Sequence, residues 1–291
     1  MRRSHDRSTG RAALHLVSAF ASDRHLVLGQ EAVDDRSNET TAIPILLEKL
    51  ACGRSLQGAL VTIDAIACNP EIARTIRDVG ADYLLAVKGN QPTLQADIEA
   101  AFKAAEAGDI EVAADIDKGH GRIETRIVSV MRQVDWLDGE RRFPGELRFR
   151  DARAVVKIDT QTELKDRCRF DARYYITSSA RSAAMLGEAG RGHWGIENKL
   201  HWTLDVTFQE DLSRLRKGHG AHNMALVRKF AINKLRAAPE PEKPANLPAK
   251  PCRKPKKPPR PMSLKLRRKF ASWSNQNLTQ ILLAPQTIRP C

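Results

Sequence analysis

Residues 59–104 constrain the fold more than any other stretch. Ala59-Leu60-Val61-Thr62-Ile63 is an unbroken aliphatic and β-branched run of buried-strand type, and it ends on Asp64. Asn69 then offers an N-cap, and Pro70 suits the first helical position. Ile72, Ala73, Ile76 and Val79 keep helical period, and Gly80 closes the helix. Residues 83–87 read as a second buried strand, ending in Lys88-Gly89-Asn90. Pro92 opens another helix, with Leu94, Ile98 and Phe102 spaced by four. Two strands joined through a helix of this length run parallel, with a right-handed crossover. Ligands of such sheets bind beyond the carboxyl ends of the strands. Asp64 and Lys88 are therefore expected on that edge, on adjacent strands.

Elements of other character flank this unit. Residues 14–21 and 25–33 read as a hairpin turning at Ser22-Asp23-Arg24, and a short helix follows with Leu46, Leu47 and Leu50 on its apolar side. From 109 to 180 the pattern becomes β-rich, with alternating runs at 122–134, 153–161 and 169–177. Helices return over 181–238, through 194–204 and again over 220–235. The remaining residues, 239–291, form a tail rich in Pro, Lys and Arg, with nine prolines between Pro239 and Pro261. Such a segment is expected to stay extended and solvated, a disordered basic arm.

Charge sharpens the division. The chain carries a formal +13, of which the tail supplies +10 through twelve Lys or Arg against Glu240 and Glu242. The body is nearly balanced, so the arm suits contacts to phosphates, or equally to any polyanion. An apolar fraction of 42% with no run near the roughly 20 residues of a bilayer span excludes a membrane-spanning helical chain. Five scattered cysteines without a C-x-x-C pair argue against disulfides and structural zinc, and place the chain in a reducing cytoplasm. The first twenty residues loosely mimic a secretory leader, but His15 and Ser18 break the run.

Two carboxylates stand out. Asp64 ends a buried strand, where it could cap the next turn or carry chemistry. Glu197 lies in His193-Trp194-Gly195-Ile196-Glu197-Asn198-Lys199-Leu200-His201-Trp202. On an α-helix His193, Glu197 and His201 share one face, which Asp205 continues. That face reads as a zinc site without the H-E-x-x-H spacing, or as a polar helix face buttressed by Trp194 and Trp202.

Four segments in unbroken order carry a family resemblance: 61–65 (VTIDA), 82–91 (DYLLAVKGNQ), 119–122 (GHGR), and 193–197 (HWGIE) running on to Asp205-Val206-Thr207-Phe208. Together, over roughly residues 2–236, they resemble DDE-type insertion-sequence transposases, and among those the ISAs family. The resemblance implies a ribonuclease-H-like α/β fold: a mixed sheet with flanking helices, a β-rich insertion at 109–180, and a catalytic domain formed by 1–108 and completed by 181–238. It implies Asp64 and Glu197 as catalytic, metal-binding carboxylates. It also implies Mg²⁺ (or Mn²⁺), two ions in an intact member, and DNA as partner, both transposon ends and target. The reaction would be phosphodiester hydrolysis followed by strand transfer, carried out by a homodimer on paired ends. Lys88, Arg191, His193, Arg214 and Arg216 are its expected DNA contacts. His201 and Asp205 flank Glu197, while His222 and Asn223 could equally touch DNA or solvent.

One departure stands against the family pattern. In the family the first catalytic aspartate lies on the first core strand, upstream of the segment matching Arg2-Arg3-Ser4, so the resemblance implies that this strand is missing and the chain is expected to be N-terminally truncated. Asp6, Asp34 and Asp35 are poor substitutes by position. The expectation is a catalytically defective, poorly soluble copy, or a start codon placed too late. Two other readings remain: a non-catalytic DNA-binding remnant, and a metal-dependent nuclease unrelated to transposition.

Overall fold

The computed structural model describes residues 4–5, 12–33, 38–53, 56–119, 121–138, 140 and 143–238. The basic tail, His120 of the GHGR segment, and Asp6, Asp34 and Asp35 lie outside the described residues. The chain divides into two compact units, residues 29–196 and residues 1–28 with 197–291. Among the described residues no helix is long and apolar enough to cross a membrane.

In chain order the elements of the larger unit begin with the end of β2 (Leu26–Ala32), which pairs with β1 (Leu16–Ala21) as a two-stranded sheet. Then follow α1 (Glu39–Gly53), β3 (Leu60–Ile63), α2 (Pro70–Asp78), β4 (Asp82–Val87) and α3 (Pro92–Ala104). β3 and β4 pair in parallel, Leu60 opposite Asp82 and Ile63 opposite Leu85, as the crossover requires. Asn69 caps α2 by accepting from Ile72 N–H at 2.8 Å, Pro70 sits in its first turn, and Gly80 adopts φ +79° beyond its end. These local signals are why residues 70–78 form a helix of this length. Tyr83, Leu84 and Leu85 are fully buried, as expected of a strand covered on both faces.

The β-rich stretch does not form a sheet of its own. β5 (Ile110–Gly119), β6 (Arg122–Met131), β7 (Ala154–Glu163) and β8 (Cys168–Thr177) extend the sheet of β3 and β4 in the order β3-β4-β8-β7-β6-β5. β8 closes the join by pairing antiparallel with β4, Tyr174 opposite Val87 and Thr177 opposite Leu84. The result is a mixed six-stranded sheet with helices against it. β5 is a strand added to the expected three; its Ala-rich, acidic sequence has little β propensity, and ten paired residues along β6 hold it in place.

α4 (Ala183–His193) lies on this sheet, with Leu186 in a cluster formed by Leu84, Val128, Val156, Ile158 and Tyr175. Its Gly187 and Gly190 allow a close approach. A Cβ at 187 would meet Val128 Cγ2 at 2.6 Å, and one at 190 would meet Ile158 Cδ1 at 2.9 Å.

In the smaller unit, α5 (Gly220–Ala237) is clamped to the hairpin by Asn233, which accepts from Val27 N–H (2.9 Å) and donates to Val27 O (2.7 Å). The continuous α-helix expected over 194–204 is not what forms. Residues Glu197–His201 and Thr203–Thr207 wind as π-helix, so an i, i+4, i+8 face does not run through the segment.

Candidate active site

Asp64 stands one residue past β3 and opens a single 3₁₀ turn, Ala65–Ala67. Its side chain makes no capping hydrogen bond. Instead its Oδ1 accepts from Lys88 Nζ at 2.9 Å, joining the ends of the two parallel strands. The carboxylate is 45% exposed. Partial burial works against its charge, but the Lys88 hydrogen bond, the Ala65 amide and the charges of Lys88 and His193 outweigh that effect. The Asp64 carboxyl is thereby held below the usual carboxylate range. A second link ties the two loops: Asn90 Nδ2 donates to Ala65 O at 2.9 Å.

Around this pair the sheet assembles an aromatic and cationic surface. Trp194, directly after α4 and 37% exposed, has Lys88 Nζ 5.5 Å and the Arg173 guanidinium 4.8 Å from its ring centroid. Both distances suit cation–π attraction. Arg173 comes from β8, and its Nε donates to Asp171 Oδ2 at 2.8 Å. His193 meets Trp194 edge-on, and its Nδ1 lies 3.1 Å from Thr62 Oγ1, tying the end of α4 to β3. Arg173 and Thr62 are members of this surface that sequence reasoning passes over. The antiparallel placement of β8 beside β4 brings Arg173 in, and nothing local in residues 169–177 announces that neighbour.

The other expected residues sit elsewhere. Arg191 is engaged by acids of the β5 strand, hydrogen-bonding Asp117 and lying 3.5 Å from Asp115 Oδ2. In the smaller unit Glu197 is exposed, and its Oε1 lies 3.1 Å from His201 Nδ1. Leu200 and Leu204 point into that unit's core. Arg214 and Arg216 are exposed ahead of α5. Thus Asp64, Lys88 and His193 are grouped in the larger unit, while Glu197, Arg214 and Arg216 belong to the smaller one. Among the described residues no three His, Cys, Asp or Glu side chains converge as a cation-binding group.

Comparison with known proteins adds a family to this geometry. Residues 1–234 match the family model described as "Transposase DDE domain". Three similar proteins from Escherichia coli are "Putative protein YbfL" and "H repeat-associated putative transposase YhhI" of strain K12, and "Putative transposase YncI" of O157:H7. The first two are 38% identical over 244 residues, covering 81% of this chain and 61% of each relative. The third is 39% identical over 241 residues, covering 81% of this chain and 60% of the relative. The chain therefore spans about three fifths of the length of the curated relatives it matches.

Proposed function

Because the chain belongs to the transposase DDE-domain family, we propose that it acts on DNA as an insertion-sequence transposase, with Asp64 and Glu197 as carboxylates of its metal site. The observation that carries this reading is Asp64 itself: a half-exposed carboxylate kept ionised at the carboxyl edge of a parallel strand pair. Magnesium and manganese favour hard oxygen donors, and Asp64 and Glu197 are both accessible carboxylates, so the donor chemistry fits such an ion. Asp64 and Glu197 would hold such ions, whose chemistry when bound would be to activate the attacking oxygen and stabilise the leaving one in an in-line displacement.

The chain's own side chains would do the positioning. Lys88 and Arg173 offer positive charge to a DNA backbone beside Asp64, and the exposed face of Trp194 offers apolar contact to a nucleotide. His193 holds α4 to β3 through Thr62. Arg191, Arg214 and Arg216 are further contacts to phosphate in this reading, and two chains act together on paired ends.

The test is an assay of the purified chain on DNA carrying the element's ends, with Mg²⁺ or Mn²⁺. Any cleavage and end joining by the chain should be abolished by Asp64→Asn, with DNA binding retained. Equal activity of the Asp64→Asn variant overturns the site assignment. Cutting without end preference or joining would identify a nuclease and overturn the transposase reading, and binding without cutting would identify the non-catalytic remnant.

A further inference from the structure

Among the described residues β5 is the outermost strand of the six-stranded sheet, paired only with β6 along ten residues in an uninterrupted register. Alternate residues of such a strand turn N–H and C=O groups away from the sheet, a ready template for another strand. Folded proteins commonly protect an edge like this with a proline, a bulge or unpaired charges. β5 has neither proline nor bulge. On one face it presents Val112, Ala114 and Ile116, with Val112 59% and Ile116 61% exposed. Ile127 of β6 stands opposite Ala114 and widens the apolar surface.

The acids of β5 lie on its other face, and arginines of the same chain already engage them. Arg132 Nη2 donates to Glu111 Oε2 at 2.7 Å, Arg126 Nη1 to Asp115 Oδ2 at 2.9 Å, and Arg191 to Asp117. The strand therefore carries neutralised charge on one side, and on the other exposed aliphatic side chains that end at the exposed Lys118.

We propose that β5 is the interface for a second copy of this chain, the two strands pairing antiparallel about a two-fold axis at Ala114. That register is self-complementary. It sets Val112 of each copy opposite Ile116 of the other, giving two apolar cross-strand pairs on the exposed face. On the other face it sets the Glu111–Arg132 pair of one copy beside the Asp117–Arg191 pair of the other, so that carboxylates and guanidinium groups alternate with no net charge. Asp115 falls opposite the small Ala113. A two-fold contact of this kind uses the β5 edge of both copies and closes there, so neither copy keeps that edge free. The inference stands on the sheet edge alone and does not depend on the DNA chemistry.

Sedimentation velocity of the full chain, over about 1 to 100 µM, should show a monomer–dimer equilibrium. The double substitution Val112→Lys, Ile116→Lys places ammonium groups opposite one another. It should weaken association at least about tenfold while far-UV circular dichroism, and the urea midpoint taken at a concentration where both proteins are monomeric, stay unchanged. A second variant reads the register directly. With Cys52, Cys168, Cys252 and Cys291 changed to Ser, Ala114→Cys should form a disulfide-linked dimer on mild oxidation, because the two residues face each other across the axis. Lys118→Cys in the same background should not. A chain that is monomeric throughout, a dimer undiminished by the double lysine variant, or crosslinking at 118 equal to that at 114 would overturn the proposal.

Discussion

Lys229 is an amine inside the smaller unit, 4% exposed on the buried side of α5, with Nζ donating to Ser18 Oγ at 2.6 Å. Burial is the main influence on it, opposed in part by the charge of Glu210, and together they bring its pKa down from 10.5 to about 8. A fall of that size corresponds to about 3 kcal/mol between the protonated and neutral forms. The sign follows from proton counting. Below about pH 8 both folded and unfolded chains hold the proton; between about 8 and 10.5 only the unfolded chain does, so stability rises with pH across that window. Lys229→Met keeps the side-chain length and removes the titration. Urea unfolding followed by circular dichroism should show the stability of the parent, relative to this variant, climbing by about 3 kcal/mol from pH 7 to beyond 10.5. Subtracting one protein from the other cancels the other groups that titrate there. Parallel curves through the window would refute the assignment of a penalised, buried ammonium.

Three further outcomes are expected. Asn69→Ala removes the acceptor for Ile72 N–H and should cost about 1 kcal/mol of unfolding free energy. Gly187→Ala should also destabilise: about 1 kcal/mol of helix propensity is gained, but the new methyl collides with a stiff, buried Val128, an overpacking cost of about 1–3 kcal/mol. A higher denaturation midpoint for that variant would contradict the close packing of α4. Lys88→Met should raise the Asp64 carboxyl pKa, read by carbon-detected NMR titration. Because the folded value is depressed, the Lys88 contribution is present above the unfolded pKa and is lost as pH falls through the folded one, so the variant should show less acid sensitivity below about pH 4.

Much of the larger unit was legible because its signals are local. Asn69, Pro70 and Gly80 bound a helix by capping chemistry, and the buried runs on either side leave a parallel pair as the short solution. The meeting of Asp64 with Lys88 follows from that topology. What escaped depends on partners distant in the chain. The pairing of β8 with β4 decides both that the β-rich stretch continues the sheet and that Arg173 reaches Trp194. β5 is unremarkable as a sequence and becomes a strand only beside β6. The π-winding of residues 197–207 keeps Leu200, Thr203, Leu204 and Thr207 buried, a pattern that α-helical spacing imitates closely enough to conceal the difference.

The two glycines of α4 make helix and sheet share volume at two points, opposite Val128 and Ile158. Neither side of such a contact can drift alone. A methyl gained at 187 has to be matched by methyls surrendered at 128, and the same exchange links 190 with 158. Lineages descending from this chain should therefore vary at these positions as couples, small facing large or the reverse, and Gly187→Ala should be tolerated where Val128→Ala has come first.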